Sequence, residues 1–197
     1  MKPKGNKWAD HYTRQAQKDR YPARSVYKLQ EIQKKHRIIR KGAKVLDLGC
    51  APGSWLLFAA AQTGGEGRVV GIDLKPVTCT VPGHVQIFTA DIFALDATLD
   101  QAVGTGFDTI ISDMAPNTTG NKDVDAARSF GLCEKALEIT GDRLKPGGGF
   151  VCKIFQGGDF QEFINLVKKR FLQCHIFKPR SSRKHSKETF VIGQGKK

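Results

Sequence analysis

The sequence predicts a doubly wound, Rossmann-like α/β fold, and three observations predict it. Short apolar runs rich in β-branched residues close on a glycine or an aspartate, amphipathic stretches lie between them, and a glycine-containing turn joins the first run to a helix. A chain of 197 residues, 40% of them hydrophobic, has the size of one domain with a substantial core, so residues 1–197 are read as a single domain.

The elements follow in order. Residues 1–20 read as a basic, linker-like arm. From Pro22 to Ile38, Val26, Leu29 and Ile32 recur at helical spacing among basic residues. Lys44 to Gly49 (KVLDLG) is a buried strand running into a turn, and Gly53 to Gln62 a helix, broken by Gly64, Gly65 and Gly67. Three runs, RVVGID (68–73), VQIFTAD (85–91) and FDTIISD (107–113), are parallel strands that each end on an aspartate. A helix from about Asp123 to Leu144 precedes the turn Lys145 to Gly149, a strand to Phe155 and a helix from Asp159 to Arg170. The last strands, Phe171 to Phe177 and Glu188 to Ile192, are separated by a loop with no room for a crossover helix, so they run antiparallel. The expected sheet therefore has seven strands, mostly parallel with an antiparallel last strand, and helices on both faces.

Charge is segregated along the chain. Residues 1–44 hold 14 Lys and Arg against 3 acids, residues 168–197 hold 10 against 1, and the stretch between holds 8 against 15. Basic ends of this kind suit a polyanion, because phosphate contacts supply most non-specific nucleic-acid affinity. The longest apolar run, Trp55 to Ala61, is far short of the ~20 residues needed to span a bilayer. Five scattered cysteines without a CxxC pair fit free thiols in a reducing compartment, so the expectation is a cytoplasmic protein with no membrane partner. The histidines at 11, 36, 84, 175 and 185 show no metal-ligand spacing, and no metal is expected.

The first turn reads Asp47-Leu48-Gly49-Cys50-Ala51-Pro52-Gly53-Ser54-Trp55. Glycines there admit a ligand close to a helix N-terminus. The spacing G-x-x-x-G, with a proline inside, differs from the G-x-G-x-x-G that admits a dinucleotide pyrophosphate, which disfavours NAD. S-adenosylmethionine carries a ribose diol, an adenine amine and a sulfonium, and carboxylates at strand ends meet all three. Asp73, 20 residues after Gly53, is placed for ribose hydroxyls, Asp91 for the adenine amine, and Asp113 for the methionine end. Any one of these is as readily a turn or cap residue, and Trp55 is either core or a wall of the pocket.

At this point the chain resembles the FtsJ (RrmJ) family of ribosomal RNA 2′-O-ribose methyltransferases from about Ala9 to Gly193. The resemblance is carried by Arg24 to Leu29 (RSVYKL), the first turn, Ser112 to Asn117 (SDMAPN), Lys153 to Gly157 (KIFQG), and Ser181-Ser182-Arg183 followed by Glu188. Small departures occur at Cys50 and at Ser54, where the family often has another small residue and a second glycine. The resemblance implies an S-adenosylmethionine-dependent methyltransferase fold and a catalytic tetrad that falls on Lys28, Asp113, Lys153 and Glu188. It also implies methylation of a uridine ribose in 23S RNA, within the large (50S) ribosomal subunit, by a monomer.

Chemistry supplies its own reason for such a tetrad. A ribose hydroxyl is a poor nucleophile and needs a general base. Lysine serves only when neutral, a form that burial and a second cation favour and neighbouring carboxylates oppose. Lys153 interrupts the apolar run Phe150 to Phe155, where an unpaired charge is costly; it is the expected base, with Lys28 the second cation. Taken without the resemblance, Lys28 is a solvated or phosphate-binding lysine and Glu188 a surface residue. The helix from Pro22 and the basic loop 178–187 adjoin Lys28 and Glu188 and are expected to carry RNA phosphates, with Tyr12, Tyr21, Tyr27 and Asn117 as candidate base contacts. Methylation of another RNA, such as tRNA or a cap, and a non-catalytic assembly factor are the competing readings.

Overall fold

The structure, a computed structural model, describes residues 7–183 and 185–197; residues 1–6 of the basic arm and Lys184 of the basic loop lie outside it. Seven strands form one sheet: β1 (Lys44–Leu48), β2 (Arg68–Asp73), β3 (Val85–Thr89), β4 (Phe107–Ser112), β5 (Leu144–Phe155), β6 (Phe171–Phe177) and β7 (Glu188–Lys196). Their order is β3-β2-β1-β4-β5-β7-β6. All neighbours are parallel except β7, which runs antiparallel to both β5 and β6.

The helices are α1 (Lys7–Lys18), α2 (Val26–His36), α3 (Ser54–Thr63), α4 (Ala97–Val103), α5 (Lys122–Arg143) and α6 (Phe160–Arg170). Alternate strand residues feed two cores, because successive side chains of a strand point to opposite faces. Leu46, Leu48 and Phe150 pack against α5 and α6. Val45, Val69 and Val151 pack against α2 and α3.

Four elements differ from expectation. The basic arm contains α1, whose Ala16 is buried and whose Tyr12 ring sits 5.3 Å from that of Tyr27. A two-turn helix, α4, begins at Asp96, whose carboxylate accepts the Leu99 N–H at 2.8 Å. Of the expected turn Lys145 to Gly149, Lys145 to Gly148 are looped out within β5 rather than preceding it: Phe107 pairs with Leu144, while Thr109 pairs with Gly149. Strand β7 runs on to Lys196, since Gln194 and Lys196 still pair with β6.

Candidate active site

Strand order reverses between β1 and β4, and such a switch point leaves a crevice outside the carboxyl ends of the strands. Here it is a cavity of about 660 Å³, lined by Gly49, Asp73, Asp91, Asp113 and Asn117 among others. Gly49, at φ +79°, has no room for a side chain: a Cβ would stand 2.4 Å from Met114 Cγ. The turns after β1 and β4 thus close on each other at the cavity floor.

The strand-end aspartates do double duty. Asp73 accepts the backbone N–H of Ala51 at 2.9 Å and of Lys75 at 2.8 Å, which ties the first turn to the end of β2. Asp91 accepts the N–H of Phe93 at 2.9 Å. Both carboxylates keep lone pairs for a ligand while serving the turns. Leu74 and Phe93, 68% and 58% exposed, place apolar surface at the cavity rim.

Gly53 and Trp55 stand behind this lining rather than in it. Gly53, at φ +111°, makes room for Cys79 and Val77, since a Cβ would lie 2.6 Å from Cys79 Sγ. Trp55 is buried, donates Nε1–H to the Ser25 carbonyl at 2.9 Å, and packs on Phe190 at 5.7 Å between centroids. Its place is core, joining α3 to the start of α2 and to β7.

Asp47 has no place in the expected site. It is fully buried in β1, and neither carboxylate oxygen has a hydrogen-bond partner among the described residues. Burial pushes its pKa well above the usual carboxylate range, and Asp113 and Asp73 push the same way.

The predicted tetrad is brought together from four elements: Lys28 from α2, Asp113 from the residue after β4, Lys153 from β5 and Glu188 from the first residue of β7. The Lys153 ammonium lies 3.0 Å from Asp113 Oδ1 and donates to the Asp113 carbonyl. The Lys28 ammonium lies 2.7 Å from Glu188 Oε2 and 4.0 Å from Asp113 Oδ1. All four side chains are 6–15% exposed. Two cations and two anions held this far from water are tolerable as a balanced set, whereas removing one partner of a buried pair costs about 3–5 kcal/mol.

The basic loop is pinned rather than free. Glu31 of α2 accepts the N–H groups of Arg180 and Ser181 at 2.7 and 2.9 Å, and Arg24 donates to the Ser181 carbonyl at 2.6 Å. Ser182 then donates its hydroxyl to Glu188 Oε1 at 3.0 Å. Tyr27 donates to Asp19 at 2.8 Å, and burial with the Asp19 hydrogen bond pushes its phenol up, so it is a donor and not a base. Tyr21 packs against the second core and Asn117 lines the cavity. Among the described residues no group of three or more His, Cys, Asp or Glu is arranged to hold a metal ion. No described helix is long and apolar enough to cross a membrane.

Known proteins are similar to this chain in sequence and in fold. The chain is 61% identical over 196 residues, 100% of its length and 97% of the relative's, to ribosomal RNA large subunit methyltransferase E of Desulforapulum autotrophicum. It is 54% identical to the protein of that name from Desulfosudis oleivorans, over 98% of this chain and 94% of the relative. A solved structure described as a ribosomal RNA methyltransferase of Plasmodium falciparum superposes with a TM-score of 0.78 at 25% identity, covering 89% of this chain and 98% of that one. The model of the FtsJ-like methyltransferases matches residues 21–196. With nearly the whole chain matched, and with glycine turn and strand-end aspartates around one cavity, the protein belongs to the FtsJ-like methyltransferase family.

Proposed function

We propose that this protein transfers a methyl group from S-adenosylmethionine to the 2′-hydroxyl of a uridine in 23S ribosomal RNA of the large subunit. The observation that carries the reading is the convergence of Lys28, Lys153 and Glu188, through ion pairs, on Asp113, which lines the same cavity as Asp73 and Asp91. The residues fit the methyl donor: Asp73, Asp91 and Asp113 line the cavity, and Asp47, near enough for Asp113 and Asp73 to act on its carboxyl, holds two buried oxygens without a hydrogen-bond donor among the described residues. When bound, S-adenosylmethionine supplies a methyl group on a positively charged sulfur, open to attack in line with the departing thioether.

Asp73 would accept from the ribose diol, Asp91 from the adenine amine, and Leu74 and Phe93 would cover the ring's apolar faces. Asp113 would face the methionine end while holding Lys153 from the other side. In its neutral form Lys153 would take the proton from O2′ as that oxygen attacks, and the proton would end on Nζ. Lys28, fixed by Glu188, would hold the substrate oxygen in place. Ser182 orients Glu188, so the loop that meets the RNA also sets the tetrad.

The test is transfer of labelled methyl from S-adenosylmethionine to undermethylated large subunits, with Lys153→Ala and Asp113→Ala alongside and the product nucleoside identified. The expected product is 2′-O-methyluridine, absent with both variants. Transfer to tRNA alone would reassign the substrate, no transfer to any RNA would leave an RNA-binding assembly factor, and full activity of Lys153→Ala would remove the assigned base.

A further inference from the structure

The far edge of the molecule, opposite the active site, where β1 and β4 begin, is cationic. Asp108, at the start of β4, lies five residues before Asp113, roughly 17 Å away at ~3.3 Å per strand residue. At this far edge a cavity of about 630 Å³ is lined by Arg37, Arg40, Lys41 and Lys145 together with the glycine backbone at 147–149. Its one carboxylate, Asp108, is already engaged, accepting from Lys145 Nζ at 2.9 Å and from the Lys44 N–H at 2.8 Å. A second cavity of about 630 Å³ adjoins it across Gln194, and Lys35, His36, Lys168 and His175 line it with no carboxylate among the described lining residues.

These groups come from α2, the turn after it, the β5 loop, α6 and β6, so the fold gathers them from segments distant in sequence. An ordinary solvated surface intersperses both signs. Arg37 adds a further observation. It ends α2 in the left-handed conformation, φ 50°, where glycine or asparagine is favoured. The chain carries a guanidinium at a backbone position where a Cβ is costly, and that side chain lines the cation-rich cavity.

We infer that this far edge is a second RNA-backbone contact surface, where the two adjoining cation-lined cavities hold successive phosphates of a segment other than the one that enters the active site. Two adjoining cavities without free carboxylates suit a run of phosphates better than one small anion. The inference rests on the RNA-directed reading above and extends it: the protein is gripped at both ends of its sheet.

The test is made on the full chain. Arg37→Asn, Arg40→Gln and Lys41→Gln are combined, since all three side chains are exposed and asparagine suits the left-handed position. A charge-conserving triple variant, Arg37→Lys, Arg40→Lys and Lys41→Arg, controls for folding. Binding to protein-free large-subunit RNA and to protein-bearing large subunits is measured over a salt series and compared with binding to a ten-nucleotide oligoribonucleotide that spans only the catalytic mouth. Neutralisation is expected to weaken the large RNA by roughly tenfold or more at ~0.1 M salt, and to make the slope of log K against log salt shallower by about two to three. Binding of the oligonucleotide, and all properties of the charge-conserving variant, should stay native. An unchanged affinity and slope, or equal weakening of both RNAs, would overturn the second surface and leave the active site's RNA reading intact. Weakening only on protein-bearing subunits would place an acidic protein there and also overturn it. Failure of the native protein to bind either RNA would remove both readings.

Discussion

Glu31 offers a direct measure of what the pinned loop contributes. Its two carboxylate oxygens each accept one backbone N–H, from Arg180 and Ser181, and Ser182 next in line holds Glu188. Hydrogen bonds to a charged group contribute about 1.5–3 kcal/mol when well shielded. This carboxylate is only partly buried, so about 1 kcal/mol each is the working figure. Glu31→Ala should therefore favour loop opening by about 2 kcal/mol, a roughly 30-fold rise in the amide exchange rates of Arg180 and Ser181. Glu31→Gln, which keeps one acceptor oxygen, should give roughly 5-fold. Because the opening is local, the global melting temperature should move by no more than about 2 °C. Methyl transfer should fall through kcat as Glu188 loses its fixed orientation, while affinity for S-adenosylmethionine stays native. Unchanged exchange at those two amides in Glu31→Ala would refute the reasoning, since it would mean that the loop is held by something else.

Three further outcomes are expected. Asp47→Asn should stabilise the cofactor-free protein more at pH 8 than at pH 5. A carboxyl whose folded pKa is raised contributes stability that is fully present below the unfolded value, ~3.9, and lost as pH rises through the folded value; equal shifts in melting temperature at both pH values would show that Asp47 is not strained by its charge. Trp55→Phe, which leaves the Ser25 carbonyl without its indole donor, should cost about 2 kcal/mol in urea titration with donor affinity unaltered. Intact stability with a tenfold loss of donor affinity would instead return Trp55 to the cofactor pocket. Gly49→Ala, forced against Met114 at a positive φ, should cost about 2 kcal/mol or more and abolish donor binding in calorimetry. A native isotherm for that variant would contradict the tight closure of the two turns.

Much of the site was legible because strand ends are legible. The aspartates at 73, 91 and 113 each follow a β-branched or aromatic run, and Lys153 marks itself as a charge inside an apolar run. Asp47 bears the same mark within KVLDLG and passes as a strand residue, because a single carboxylate amid alternation looks half-exposed. Lys28 and Glu188 are invisible to local pattern: they meet across 160 positions of chain, and the family resemblance located them. Leu74 and Phe93 could have been found from an apolar residue placed just after a strand-end aspartate. Helix α4 is too short for periodicity to register, although its Asp96 cap and terminal Gly104 are both present. Reading charge along the chain hid its arrangement in space: residues 35–41, counted with the basic N-terminal segment, sit at the far edge of the sheet from the mouth that Lys28 serves.

The four-element origin of the tetrad also bears on how the protein fails under stress. The wall assigned above to the methyl donor is made by β1, β2, β3, β4 and the turns after them, joined as immediate neighbours. Lys28 and Glu188, by contrast, depend on α2 and on β7 near the other side of the sheet. A partly denatured molecule in which β6 and β7 have frayed would still present the donor wall while lacking Glu188 and its hold on Lys28, the pair proposed for the acceptor. Inactivation should then precede loss of donor binding during gentle denaturation, and the damaged population would be saturated with methyl donor yet silent.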